Sequence, residues 1–236
     1  MSPALTDLDP RFQLTKLPTA ANALPTSKTG SFMEVVSYLS GASYQLVPPE
    51  VCYILAHFMR GYCESIPTTD RQYFLPATEY WVATYDPRTV VQRTRLVVEL
   101  AVCEAAPLAL ERLGLAAHAQ ALRQLRGCDY EQPMRVPVVA AAEAAQNLKF
   151  KGLRKLQAAA DVAVVNKANA CSGSAMAYLP HWAAYSAGIA AAILPRAQVI
   201  DTLEQLFKCP PTGENPPLAE FTKDGFTFNS LELDPA

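Results

Sequence analysis

From Ala168 to Pro195 the chain carries no Lys, Arg, Asp or Glu. A stretch that long and that free of charge either crosses a bilayer or is buried against other protein. Its composition separates the two. "NACSGSAMAYLPHWAAYSAGIAAAIL" is mostly Ala with Ser, Asn, Gly, a central Pro180 and His181, whereas insertion is driven by Leu, Ile, Phe and Val. The expectation is a central buried helix from about Pro180, with Tyr178, Trp182, Tyr185, Ile189 and Ile193 on one bulky stripe. Beside that stripe stand Ala183, Ala187, Gly188, Ala191 and Ala192, small residues that let a second helix backbone come close.

The apolar period is helical almost everywhere else. Ser31 followed by Glu34 is a capping-box pattern, after which Phe32, Val35, Val36 and Leu39 recur at helical spacing. Proline near a first turn or a capping side chain opens "VPPEVCYILAHFMRGYC", "TTDRQYFLPATEYW", "YDPRTVVQRTRLVVELAVCEAA" and "VPVVAAAEAAQNL". "KGLRKLQAAADVAVVNKANA" and "RAQVIDTLEQLF" add two amphipathic stretches. The fold expected is all-α, a bundle of about eight or nine helices by ordinary helix length, over residues 31–208. Residues 1–30, with prolines among Thr, Ser and Ala and no periodic stripe, read as an extended or disordered arm. Residues 209–236 read as a Pro-rich tail in which "EFTKDGFTFNSLEL" alternates around an Asp224-Gly225 turn, a short hairpin or extended piece too apolar to float freely.

Charged residues are 18 % of the 236, and the formal net charge is −2. That is below the roughly 25 % of an average soluble protein, and the balance implies no strong polyelectrolyte partner. The cysteines at 52, 63, 103, 128, 171 and 209 form no C-x-x-C pair and have no His at zinc-ligand spacing. The first residues lack a basic and an apolar region of the signal-peptide kind. Reduced, mostly buried thiols in a cytoplasmic protein are the expectation. No P-loop or G-x-G-x-x-G occurs, so no nucleotide cradle and no cofactor is implied.

Candidate residues fall into four groups. Cys171 or Ser174 with His181 as base could act as a nucleophile pair, although "CSGSA" is not a G-x-S-x-G elbow and no acid follows until Asp201. His57 reads as a core histidine, and His118 lies on a short amphipathic helix. Glu99 and Glu104 sit in a strongly apolar helix, with Arg95 one turn before Glu99 as an ordinary surface partner. Lys149, Lys151, Arg154 and Lys155 form one basic group, and Arg88, Arg93 and Arg95 a second. Either group could contact nucleic-acid phosphate, or simply be a solvated helix face.

The texture from "RLVVELAVCEAAPLALERL" to "QVIDTLEQLF" resembles Ala-rich all-helical bacterial immunity proteins, which neutralise a toxin by binding it. "VPPEVCYILAHFMRGYCES" in a helical core between two arms resembles the plan of flexuous-filament virus coat proteins, without an "RFAAFDFF"-type segment. Neither resemblance reaches a motif, and no residue is carried over from it. The function expected is a non-enzymatic helical protein that binds a protein partner or itself, with no membrane. The alternatives are an RNA-binding nucleocapsid or coat subunit and an enzyme using Cys171 and His181.

Overall fold

The computed structural model describes residues 3–16, 27–41, 47–127, 135–146, 180–209, 221–222 and 225–226. Among these the fold is helical, with two short two-stranded pairings. Helix α1 (Phe32–Leu39) starts at the expected box: the Ser31 N–H donates to Glu34 Oε2 at 2.6 Å, and the Glu34 N–H donates to Ser31 Oγ at 3.3 Å. Two otherwise orphaned donors are satisfied reciprocally, which accounts for a carboxylate buried as deeply as that of Glu34.

The N-terminal segment is extended, and it belongs to the core. Strand β1 (Gln13–Thr15) pairs parallel with β2 (Thr29–Ser31), setting Leu14 opposite Gly30. Leu8, Phe12 and Leu14 are buried in the main hydrophobic cluster. Helix α3 (Thr68–Gln72) holds this strand by its backbone. Gln72 Oε1 accepts from the Leu14 N–H at 2.9 Å, while Gln72 Nε2 donates to the Phe12 carbonyl at 3.0 Å. The expected start of the folded part at Ser31 is therefore too late by about twenty residues, because a strand this short has no period to display.

Helix α2 (Tyr53–Ser65) and helix α8 (Pro180–Ala191) cross at the centre of the molecule. A Cβ on Gly61 would lie 2.1 Å from the Tyr185 carbonyl oxygen, and one on Gly188 would lie 2.0 Å from that of Phe58. Backbone meets backbone from both sides, so glycine is required at each position. The small side of α8 is the buried one: Ala184, Ala187, Gly188, Ala190 and Ala191 are buried, while Tyr185 and Ile189 are half-buried. Of the bulky stripe, Ile193 follows the end of the helix, and Tyr178 and the Trp182 side chain lie outside the described residues.

Helix α4 (Val90–Glu99), a π-helical stretch at Leu100–Ala105 and α5 (Ala106–Arg112) follow one another without a break. The Ala106 N–H bonds the Ala101 carbonyl. Pro107 accounts for the widening: it has no N–H, and its ring would press on the carbonyl four residues back in a regular α-helix. "TTDRQYFLPATEYW" is likewise divided, into α3 and a 3-10 turn at Pro76–Trp81, with proline again at the restart. Gly114, at φ +79, makes the turn into α6 (Ala116–Arg123). The remaining helices are α7 (Arg135–Gln146) and α9 (Arg196–Phe207). In the tail, β3 (Phe221–Thr222) pairs antiparallel with β4 (Gly225–Phe226), with Thr222 opposite Gly225. Asp224, the first residue of the expected turn, lies outside the described residues.

Arg93 locks three of these pieces together. It is buried on α4, where its Nε donates to the Leu206 carbonyl at 3.0 Å and its Nη1 to the Thr84 carbonyl at 2.8 Å. Leu206 stands in the last turn of α9, whose carbonyls have no partner within the helix. Arg93→Met leaves both acceptors unpaired and lowers stability by about 3 kcal/mol in urea unfolding. Lysine at 93, with one compact ammonium in place of a fork, recovers less than half of that loss. A full recovery by lysine would show that charge alone, and not the two-point bridge, is what matters.

Candidate functional site

Two places gather polar or exposed aromatic chemistry. The first is the seam beside the α2–α8 crossing. His57 stands four residues before Gly61, and His181 seven before Gly188, so the helical pitch brings both to the seam. Their ring centroids are 5.3 Å apart. Further along, Tyr185 Oη donates to Glu64 Oε2 at 2.6 Å, and Arg60 Nε donates to Glu64 Oε1 at 2.9 Å. The Arg60 guanidinium also lies 5.2 Å from the centre of the Tyr185 ring. Burial is the main reason that His57 titrates low, at about 4, with His181 and Arg60 adding repulsion. Burial lowers His181 as well. Both rings are neutral at pH 7, and the charges beside them are absorbed in an internal pair.

The expected base for Cys171 is therefore found against another histidine. Cys171 and Ser174 lie outside the described residues. Cys52, Cys63, Cys103 and Cys209 are buried. Burial pushes the Cys63 thiol up to about 12 and raises that of Cys209, against the pull of Arg71 and Arg93 respectively. Thiolate is the reacting form, so the Cys63 and Cys209 thiols are expected to resist Ellman's reagent in the folded chain and to react on unfolding. Mass mapping of a fast-reacting native thiol to either of the two would contradict this.

Among the described residues, no group of three or more His, Cys, Asp or Glu side chains could hold a metal ion. None of the described helices is long and apolar enough to cross a membrane. Glu104 pairs with Arg126. Lys149, Lys151, Arg154 and Lys155 lie outside the described residues. Of the second basic group, Arg93 is buried under two carbonyls, Arg88 forms a two-point pair with Asp86 at 3.0 and 2.9 Å, and Arg95 is exposed. That pair holds the Asp86 carboxyl below its ordinary range.

The second place is the flank of α9. Tyr73, Tyr80, Tyr85 and Val91 are 53, 72, 46 and 36 % exposed, and they are the exposed large apolar side chains among the described residues. All four fall between residues 73 and 91, in the connection from α3 into the first turn of α4. This connection borders α9 at both ends. At the start, the Arg196 guanidinium lies 4.2 Å from the centre of the Tyr73 ring and 3.8 Å from Asp70. At the end, Trp81 packs edge-on against Phe207 at 5.4 Å, and Arg93 ties Leu206 to Thr84. The connection therefore touches α9 near both of its ends, about 18 Å apart.

No protein family, curated protein or solved structure matches this chain. The tyrosine face was missed in the sequence because aromatics at irregular spacing read as core. A weak signal was present in "YFLPATEYWVATYD", where four tyrosine or tryptophan residues fall in a segment that proline prevents from being one amphipathic helix.

Proposed function

We propose that this chain works by binding protein, without catalysis, through the tyrosine face beside α9. The observation that carries the reading is the confinement of the exposed large apolar side chains to residues 73–91. Scattered exposed apolar residues need no explanation, but a grouped set does. Tyrosine suits such a surface because it offers a large rigid area at low entropic cost together with a polar tip, and it is enriched where partners meet. Arg196 stacked on Tyr73 adds the guanidinium–aromatic pairing common at such contacts. An assembly subunit or an inhibitor of another protein would use a face of this kind. A cytoplasmic setting belongs to the same proposal, and the buried, unbridged thiols of Cys52, Cys63 and Cys209 suit a reducing compartment.

The test is a triple variant, Tyr73→Ser, Tyr80→Ser and Tyr85→Ser, whose exposed positions leave the core intact. Affinity capture and light scattering are run on this variant and on the parent chain. The parent retains a stoichiometric protein partner or a second copy of itself, and the variant loses it. Retention by both, or by neither, overturns the reading.

A further inference from the structure

Two of the three histidines of this chain are set against each other by the backbone contact at the centre of the fold. A Cβ on Gly61 would lie 2.1 Å from the Tyr185 carbonyl oxygen, so α2 and α8 touch through their backbones at that level. One helical turn earlier on each helix stand His57 and His181, and their ring centroids are 5.3 Å apart. The separation of the rings is therefore held by the helices themselves. Both residues are half-buried, which leaves the pair within reach of solvent.

That distance is the one a shared tetrahedral ion requires. A Zn–N bond of about 2.05 Å and a ring radius of about 1.15 Å put a bound zinc roughly 3.2 Å from the centre of an imidazole. Two imidazoles on one tetrahedral ion then have centres about 5.2 Å apart, whereas the right angle of a square-planar or octahedral site gives about 4.5 Å. The rings are tilted by 48°, neither stacked nor edge-on, the two arrangements that favour ring-to-ring contact. Neutral imidazole is the ligating form, and burial favours it at both rings. Arg60, the cation one turn beyond His57, is already held: its Nε donates to Glu64 Oε1 at 2.9 Å, and Tyr185 Oη donates to Glu64 Oε2 at 2.6 Å. Its charge is thus matched before an ion enters.

We propose that His57 and His181 form a binding site for one zinc ion, which clips α2 to α8. Among the described residues no group of three His, Cys, Asp or Glu side chains gathers around an ion, so two positions of the tetrahedron go to water. The site is open and exchangeable, unlike a structural centre with four protein ligands. In the unfolded chain the two ligands are far apart in sequence, so the ion favours the folded pair and stabilises the crossing by mass action. The site is separate from residues 73–91 and does not depend on their reading as a protein-binding surface.

The experiment uses the full-length chain without a polyhistidine tag, together with His57→Gln, His181→Gln and, as a control, His118→Gln. Each is checked by circular dichroism for an unchanged helical content. Zn2+ is titrated into each in competition with a chromophoric chelator. The parent and the His118→Gln chain take up one ion each. Both seam variants bind it at least about tenfold more weakly, since losing a ligand costs no less than losing its outer-shell support. Zinc also raises the urea midpoint of the parent and not that of the seam variants. Co2+ in place of Zn2+, on the unsubstituted chain, gives the visible bands of a tetrahedral ion without the near-ultraviolet band of thiolate ligation, which separates this pair from the cysteines. No zinc uptake by the parent, uptake that survives both seam substitutions, an unmoved urea midpoint, or thiolate absorption from the bound cobalt overturns the proposal.

Discussion

Gly188→Ala lowers the stability of this fold by about 3 kcal/mol, read as a shift of the urea midpoint at unchanged slope. The added methyl would sit 2.0 Å from the Phe58 carbonyl oxygen and 2.8 Å from the Tyr62 nitrogen. Neither is the far end of a side chain that could swing aside, so the two helices must separate. Separation forfeits dispersion contacts along the whole crossing. Gly61→Ala, which meets the Tyr185 carbonyl at 2.1 Å, costs a similar amount. The comparison is Gly114→Ala: that glycine has φ +79 and nothing within 4 Å of an added Cβ, so it pays only for left-handed backbone, about 1 kcal/mol. Equal losses at 188 and 114 would mean that the helices do not touch through glycine.

The second large effect is acid lability centred on His57. In the unfolded chain this histidine titrates near its ordinary 6.5, and in the folded chain at about 4. The folded state therefore binds the proton less readily. The associated stability is complete above pH 6.5, declines as the pH falls, and is gone below about 4, a loss of about 3 kcal/mol. His181, also lowered by burial, acts in the same direction. The carboxyls of Asp9, Asp86 and Glu111 are held low by Arg11, Arg88 and Arg123, so their contributions are lost only at more acid pH. His57→Gln flattens stability between pH 6.5 and 4 in urea titrations at stepped pH. A parent chain equally stable at both ends of that window would refute the buried, neutral pair.

What could be read in the sequence was whatever depends on near neighbours. Ser31 and Glu34 are three residues apart and cap their helix as expected. Gly188 and its flanking alanines announced a close helix contact, and the contact is there. The N-terminal strand was invisible because Leu14 owes its place to Gln72, 58 residues away. Arg93 looked like one of three surface cations, since its acceptors at Thr84 and Leu206 are set by packing and not by spacing. The histidine pair is hidden for the same reason: His57 and His181 lie on separate helices, and nothing in the near sequence of either points to the other. The π-helical stretch could have been suspected from Pro107 following "VELAVCEAA", a proline inside a helix that the apolar pattern does not otherwise interrupt.

The crossing of α2 and α8 also sets a timetable for synthesis. The groove around Gly61 is made when the first quarter of the chain has been translated, but Gly188, which fills it, arrives near the end. Arg93 likewise waits for Leu206, 113 residues later. Through most of translation the nascent chain therefore presents the apolar side of α2, with Ile54, Leu55, Phe58 and Met59, to the ribosome surface and to any holdase nearby. Helical proteins commonly fold fast because their contacts are local. This one has local helices and a distant keystone, so the α2–α8 crossing can close only after residue 188 has been made.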